Sequence, residues 1–205
     1  RWMGRHSYEL YLFHIIVLGL LRDQLGRDDL ARAWKWPVLL GFFVVSCGVA
    51  AVVARFGRLD ILVNDAAFNK SVPFQDLDSM TMELWDKIMA VNLTGPMRLT
   101  KAVAPVMKAG GQGRVVNISS VAGLTPTGSS LAYAISKAGL IHMTRCMAGA
   151  MAPETLVNCV APGSIEFPGG SWERRKTEDP KLYNSILTSM PAGRLGKPEE
   201  VANVV

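Results

Sequence analysis

The chain has 205 residues, 49% of them hydrophobic and 19% charged, enough for one domain or two small ones. Its 19 glycines and 11 prolines lie near average usage and exclude collagen-like and disordered chains. A net charge of +5 permits contact with anionic lipid or nucleotide phosphate but gives no argument for nucleic-acid binding.

Cys47, Cys146 and Cys159 are odd in number and far apart. They form neither a disulfide framework nor a metal-ligand cluster, so no metal site is expected and a reducing compartment suits them. The mean hydropathy of +0.21 is high, and the excess is local. Trp36 to Ala54 contains no charged residue. A helix of that length, at ~1.5 Å per residue, spans roughly 28 Å, close to a bilayer core. Lys35 and Arg55 bracket it, and Trp34 and Trp36 sit at one end as interfacial anchors do. The alternative is a buried core helix. Tyr8 to Leu21 is a second apolar stretch that carries Glu9 and His14. It reads as a membrane helix with polar groups or as half of a helical hairpin. Basic residues are similar on both sides of these stretches, so orientation is undecided. The run from Gly4 to Leu18, GRHSYELYLFHIIVL, resembles the last membrane helices of the acyltransferase 3 type of membrane acyltransferase. The resemblance covers residues 1–54 and implies a structural role for His14. Residues 1–54 are therefore expected to be a hydrophobic helical segment, in two membrane helices, that makes the protein membrane-associated with its remainder cytoplasmic.

After Arg55 the pattern alternates between strand and helix. Ile61 to Asn64 is a short apolar run that predicts a buried parallel strand. Leu77 to Lys108 has helical spacing, with Leu84, Ile88, Val91 and Met97 among its apolar positions. Gly110 to Gly113 is a turn, and Arg114 to Ser120 a second strand. Ser130 to Ala152 is a helix ending at Pro153, and Leu156 to Val160 a third strand closed by Pro162-Gly163. This order predicts an α/β fold with a parallel sheet, whose chemistry lies at the carboxyl ends of its strands.

Tyr133 and Lys137 are four residues apart on one predicted helix and share a face. A nearby ammonium lowers the pKa of a phenol, so the pair can move a proton to or from a carbinol oxygen. The bland alternative is a solvated helix face. Ser120, thirteen residues before Tyr133, stands at a strand end where its hydroxyl can orient a substrate carbonyl. Asn92 lies in a helix interior that disfavours it and is expected to bond backbone and water near the lysine. Pro162-Gly163 leaves bare backbone against which a flat ring can lie.

Together these residues resemble the short-chain dehydrogenase/reductase family. The resemblance rests on AVNLTG around Asn92, RVVNISSVAG around Ser120, AYAISKAG around Tyr133 and Lys137, and NCVAPGSIE around Pro162-Gly163. FGRLDILVNDAA (Phe56 to Ala67) and PAGRLGKPEEVANVV (Pro191 to Val205) add to it. It spans residues 55–205, the expected second domain, and implies the central and later strands of a Rossmann-like sheet. It further implies Tyr133 as acid/base, Lys137 as the group that lowers its pKa and holds the nicotinamide ribose, Ser120 at the substrate oxygen, and Asn92 as anchor of a relay water. NAD or NADP would contact Asn64, Ala66, Tyr133, Lys137, Pro162, Gly163 and Ile165, with a carbonyl or secondary alcohol as substrate. The helices around Asn92 and Tyr133 would carry a homo-oligomer contact, through Leu140, Met143, Met147 and Met151.

Three departures from the family pattern stand out. Its opening Gly-rich turn, which seats a pyrophosphate on a helix N-terminus, has no counterpart in the sequence. Asn-Asn-Ala-Gly has become Asn64-Asp65-Ala66-Ala67. A usual Thr is Phe167. The chain then reads as a fused fragment that binds NAD(P) weakly or not at all, and its own catalysis is open. The competing reading is a membrane-anchored fragment, or acyltransferase remnant, with no catalysis.

Overall fold

The computed structural model describes residues 51–205. The chain divides into two compact units, Arg1–Gly57 and Arg58–Val205. Of the first, residues 51–56 are helical. The rest of the stretch predicted to span a membrane, the acyltransferase-like run and His14 lie outside the described residues. Among the described residues no helix is long and apolar enough to cross a membrane.

The second unit opens with β1 (Ile61–Asn64), a run of β-branched and aliphatic residues. The predicted helix over Leu77–Lys108 begins later and is broken. Asp76 accepts the backbone N–H of Ser79 and closes a turn, and Thr81 caps α1 (Met82–Met89) by accepting from the Leu84 N–H. Residues Ala90–Thr94 then form a π-helical turn that leads into α2 (Gly95–Gly110). A π-turn holds an extra residue, so the 3.6-residue period loses phase across it. Ile88, ahead of it, is fully buried, whereas Met97, beyond it, is 42% exposed where the simple period puts it inside. α2 ends on Gly111 at φ 68, as a left-handed cap requires.

β2 (Gly113–Ile118) starts against its neighbour so closely that a Cβ on Gly113 would lie 2.6 Å from Thr155 Oγ1. A single 3-10 turn (Val121–Gly123) links it towards α3 (Leu131–Met151), which Ser130 caps by accepting from the Tyr133 N–H. β3 (Thr155–Val160) follows. The remaining elements are α4 (Ser171–Glu178), α5 (Pro180–Ser189) and α6 (Pro198–Ala202).

The three strands form one parallel sheet in the order β1-β2-β3, as the alternating pattern predicts. Asn64 pairs with Asn117, and Asn117 with Cys159. Asn64 Nδ2 donates to Asn117 Oδ1 (2.8 Å) and to Thr100 Oγ1 on α2, while Asn117 Nδ2 donates to Thr144 Oγ1 on α3. Both helices therefore cover the same face of the sheet. Ile88, Val103, Met107, Val115 and Leu140, each at most 1% exposed, fill the layer between. This Rossmann-like arrangement leaves the carboxyl ends of all three strands at one edge of the helical layer.

Candidate active site

The strand ends are laced to one another and to α3. Ser119, just past β2, bonds through its N–H to Val160 O (2.7 Å) and through its hydroxyl to the Lys137 carbonyl (2.8 Å). The Val121 N–H donates to Pro162 O at 3.0 Å. Gly123 lies hard on α3: a Cβ there would meet the Lys137 carbonyl carbon at 2.7 Å. Only a glycine lets the turn after β2 pack so near the helix that carries Tyr133 and Lys137.

Ser120, Tyr133 and Lys137 meet at this point. The Ser120 hydroxyl accepts from the Ala122 N–H (3.2 Å) and lies close enough to the Tyr133 phenol to favour its ionised form. Lys137 is only 2% exposed, and its Nζ donates to Ile118 O at 2.7 Å, 5.8 Å from the centre of the Tyr133 ring.

The proton chemistry differs from the simple sequence expectation. Burial pushes the Tyr133 phenol above its ordinary value of 10.0, and the Ser120 hydroxyl opposes it. The lysine does not bring it below: its ammonium is turned to a backbone carbonyl, and the apolar surroundings of the phenol win. Burial also pulls the Lys137 ammonium down from 10.5 to about 8, against the favourable fields of Asp65 and Cys159.

Asn92 bonds backbone, as expected of a polar residue in a helix interior, and the backbone is that of Phe68. Its Oδ1 accepts from the Phe68 N–H (2.7 Å), and its Nδ2 donates to Phe68 O and to Ser136 Oγ, both at 3.0 Å. Ser136 in turn donates to Tyr133 O at 2.8 Å. The carboxamide, 1% exposed, thus clamps the segment after β1 to the turn of α3 that carries Tyr133. The π-turn is what aims this residue inward.

Among the residues expected at a cofactor, Asn64 is buried and turns its side chain into the sheet network, so only its backbone faces the strand end. Ala66 is exposed on the loop that follows. Pro162 and Gly163 follow β3, and a Cβ on Gly163 would find nothing nearer than Val121 Cγ1 at 4.0 Å, so the backbone there is open to a flat ring. Ile165 bridges to Gly196 and packs on it so tightly that a Cβ there would lie 2.6 Å from Ile165 Cδ1. The donor set fits the nicotinamide-ribose end of a dinucleotide. A helix start with several clustered glycines, of the kind that seats a pyrophosphate, does not occur among the described residues, nor do groups of three or more metal-ligating side chains.

Sequence reasoning passed over Asn117 and Phe68. Asn117, 0% exposed in the middle of the apolar run RVVNI, is the central member of the buried polar row. Its signal was a polar residue inside a strand, which must find partners if buried.

Comparison with known proteins agrees with this geometry. Residues 45–205 match a family described as enoyl-(acyl carrier protein) reductase. The chain is 40% identical over 158 residues to the 3-oxoacyl-(acyl-carrier-protein) reductase of Thermotoga maritima, covering 77% of this chain but 61% of that protein's length. It is 34% identical over 190 residues to acetoacetyl-CoA reductase of Rhizobium meliloti, covering 88% of this chain and 76% of the relative. Its fold is similar to that of a gluconate 5-dehydrogenase from Burkholderia cenocepacia in complex with NADP and tartrate, with TM-score 0.67 and 31% identity across 78% of this chain and 61% of the other.

Proposed function

This chain belongs to the short-chain dehydrogenase/reductase family, and from that premise we infer that it is built to exchange a hydride and a proton between NAD(P) and a carbonyl or secondary alcohol. The observation that carries the reading is the Ser120–Tyr133–Lys137 convergence at the strand ends. The two relatives' names make a 3-oxoacyl thioester the first substrate to test.

When bound, NAD(P)H would be the hydride source for the carbonyl carbon, and the side chains at the strand ends would handle the proton. Tyr133 gives its phenolic proton to the carbonyl oxygen, and a phenol held above its ordinary pKa stays protonated at neutral pH for that step. Ser120 donates a hydrogen bond to the same oxygen, as its charge develops. The Lys137 ammonium stabilises the phenolate left behind, which recovers its proton from solvent. Lys137 and Tyr133 would hold the nicotinamide ribose, and the open backbone at Pro162-Gly163 would back the ring. Asn92 positions Tyr133 through Ser136.

The same reading includes weak dinucleotide affinity, because a pyrophosphate is held best by backbone N–H groups at a glycine-rich helix start, and the sequence contains none of the family's form. The test is NADPH- and NADH-linked reduction of acetoacetyl-CoA beside calorimetric titration of each cofactor. Turnover is expected only at high cofactor concentration, and Tyr133→Phe should lower it by roughly 10²- to 10⁴-fold. Turnover unaffected by that change would overturn the assignment, and tight cofactor binding would overturn the affinity claim.

A further inference from the structure

The segment that departs most from the family pattern, Asn64-Asp65-Ala66-Ala67, introduces a charge where the family has a neutral Asn. Its position is defined by the sheet. The last paired positions of β1 and β2 are Asn64 and Asn117. One residue further come Asp65, the first residue past β1, and Ile118, the last of β2, so the two leave the sheet side by side. The Ile118 carbonyl is the group that receives Lys137 Nζ, at 2.7 Å. Asp65 is therefore the acidic residue that leaves the sheet directly beside the lysine's anchor, and it is exposed at its own end.

We propose that Asp65 is a positioning residue for the reaction: its carboxylate keeps the buried Lys137 ammonium charged and seated on the Ile118 carbonyl. This rests on the oxidoreductase reading for its importance, but not for its measurement. Lys137 is packed from several sides. From its own helix it faces the Tyr133 phenol, from the end of β2 the uncharged Ser119 and Ser120, from beyond β1 Asp65, and from β3 Cys159. The π-turn contributes no charged side chain, and on α1 the cation of Lys87 lies over the Phe68 ring instead. Among the described residues the charges that favour the ammonium are those of Asp65, the larger, and Cys159. A thiol is charged only when ionised, whereas a carboxylate is charged throughout the neutral range. Asp65 is thus the standing counter-charge to a cation that burial disfavours. With the lysine's midpoint already near 8, removing that charge carries a sizeable fraction of molecules into the neutral amine at working pH.

The experiment follows the ε-carbon signal of Lys137 in the full chain made with isotope-labelled lysine, assigned by its absence in Lys137→Arg. The chain is titrated from neutral to alkaline pH as wild type, Asp65→Asn, Asp65→Glu and Cys159→Ser. Asp65→Asn, equal in size and exposed, should lower the midpoint by about half a unit or more. Asp65→Glu should keep most of the wild-type value, and Cys159→Ser should move it less than Asp65→Asn does. In carbonyl reduction the alkaline fall in activity should move to lower pH in Asp65→Asn by the same amount. A midpoint unchanged in Asp65→Asn overturns the proposal even if the chain is an active reductase. A lowered midpoint in a chain without reductase activity upholds it and sinks the functional reading instead.

Discussion

Replacing Lys137 by Met tests the cost of burying a charge at this site. The native ammonium titrates near 8, and the same group in the unfolded chain near 10.5. Between these values the unfolded state binds more protons, so stability rises with pH across that window. Below pH 8 both states are protonated and the full penalty of burial applies. Wild type should therefore gain stability relative to Lys137→Met as pH increases from 8 to 10.5, by up to about 3 kcal/mol, measured by urea denaturation at each pH. A constant difference between the two proteins would contradict the burial argument. The neighbouring phenol has the opposite sign: its raised pKa makes Tyr133 lose a proton first in the unfolded chain, so its contribution falls only in the more alkaline range. The four-residue spacing of Tyr133 and Lys137 was legible in the sequence. Their charge states were not, because they depend on how deeply each group is buried and on where the ammonium points.

At the scale of elements, the π-turn Ala90–Thr94 and the loop after β1 act as one unit through Asn92. Asn92→Ala removes an acceptor from the Phe68 N–H and donors from Phe68 O and Ser136. Amide exchange at Phe68 should accelerate strongly while the amides of β2, bonded within the sheet, keep their protection. The stability loss should be on the order of 2 kcal/mol, the cost of leaving buried partners unsatisfied. Unchanged exchange at Phe68 would show that the clamp does not hold the loop. An Asn inside a helical run was a visible anomaly in the sequence. Its partner was not, because the break in helical phase that aims it at Phe68 has no residue signature of its own, and the same break moved Met97 out of the core.

For the whole molecule, the relevant surface is that of α2 and α3 away from the sheet. Met97 and Ile135 are 42% and 40% exposed there, and Met143, Met147 and Met151 are half-buried. Leu140, expected in the same stripe, is instead 1% exposed and belongs to the core. The stripe is thus divided between the chain's own sheet and an outer apolar margin. Light scattering at micromolar concentration is expected to find a dimer that charged substitutions at Met97 and Ile135 convert to monomer. A wild-type chain that stays monomeric would remove the interface from the account. The curated relative from Thermotoga maritima is matched over 61% of its length, and residues 51–205 supply the Rossmann-like part on which the site stands.

The sequence alone determined the parallel α/β order and the chemical types at the strand ends. Period-two and period-3.6 burial, and the stops made by Gly and Pro, are local properties that a chain carries in its own order. It also determined that Ser120, Tyr133 and Lys137 belong together, since one helical turn and one strand end fix their spacing. Tertiary structure decided the rest. It buried the phenol and the ammonium together, which raised one pKa and lowered the other. It turned Asn92 to Phe68 and set Asp65 beside the carbonyl that seats Lys137. Those outcomes depend on desolvation and on the register between strands 53 residues apart, such as Asn64 and Asn117, and neither quantity exists until the chain has packed.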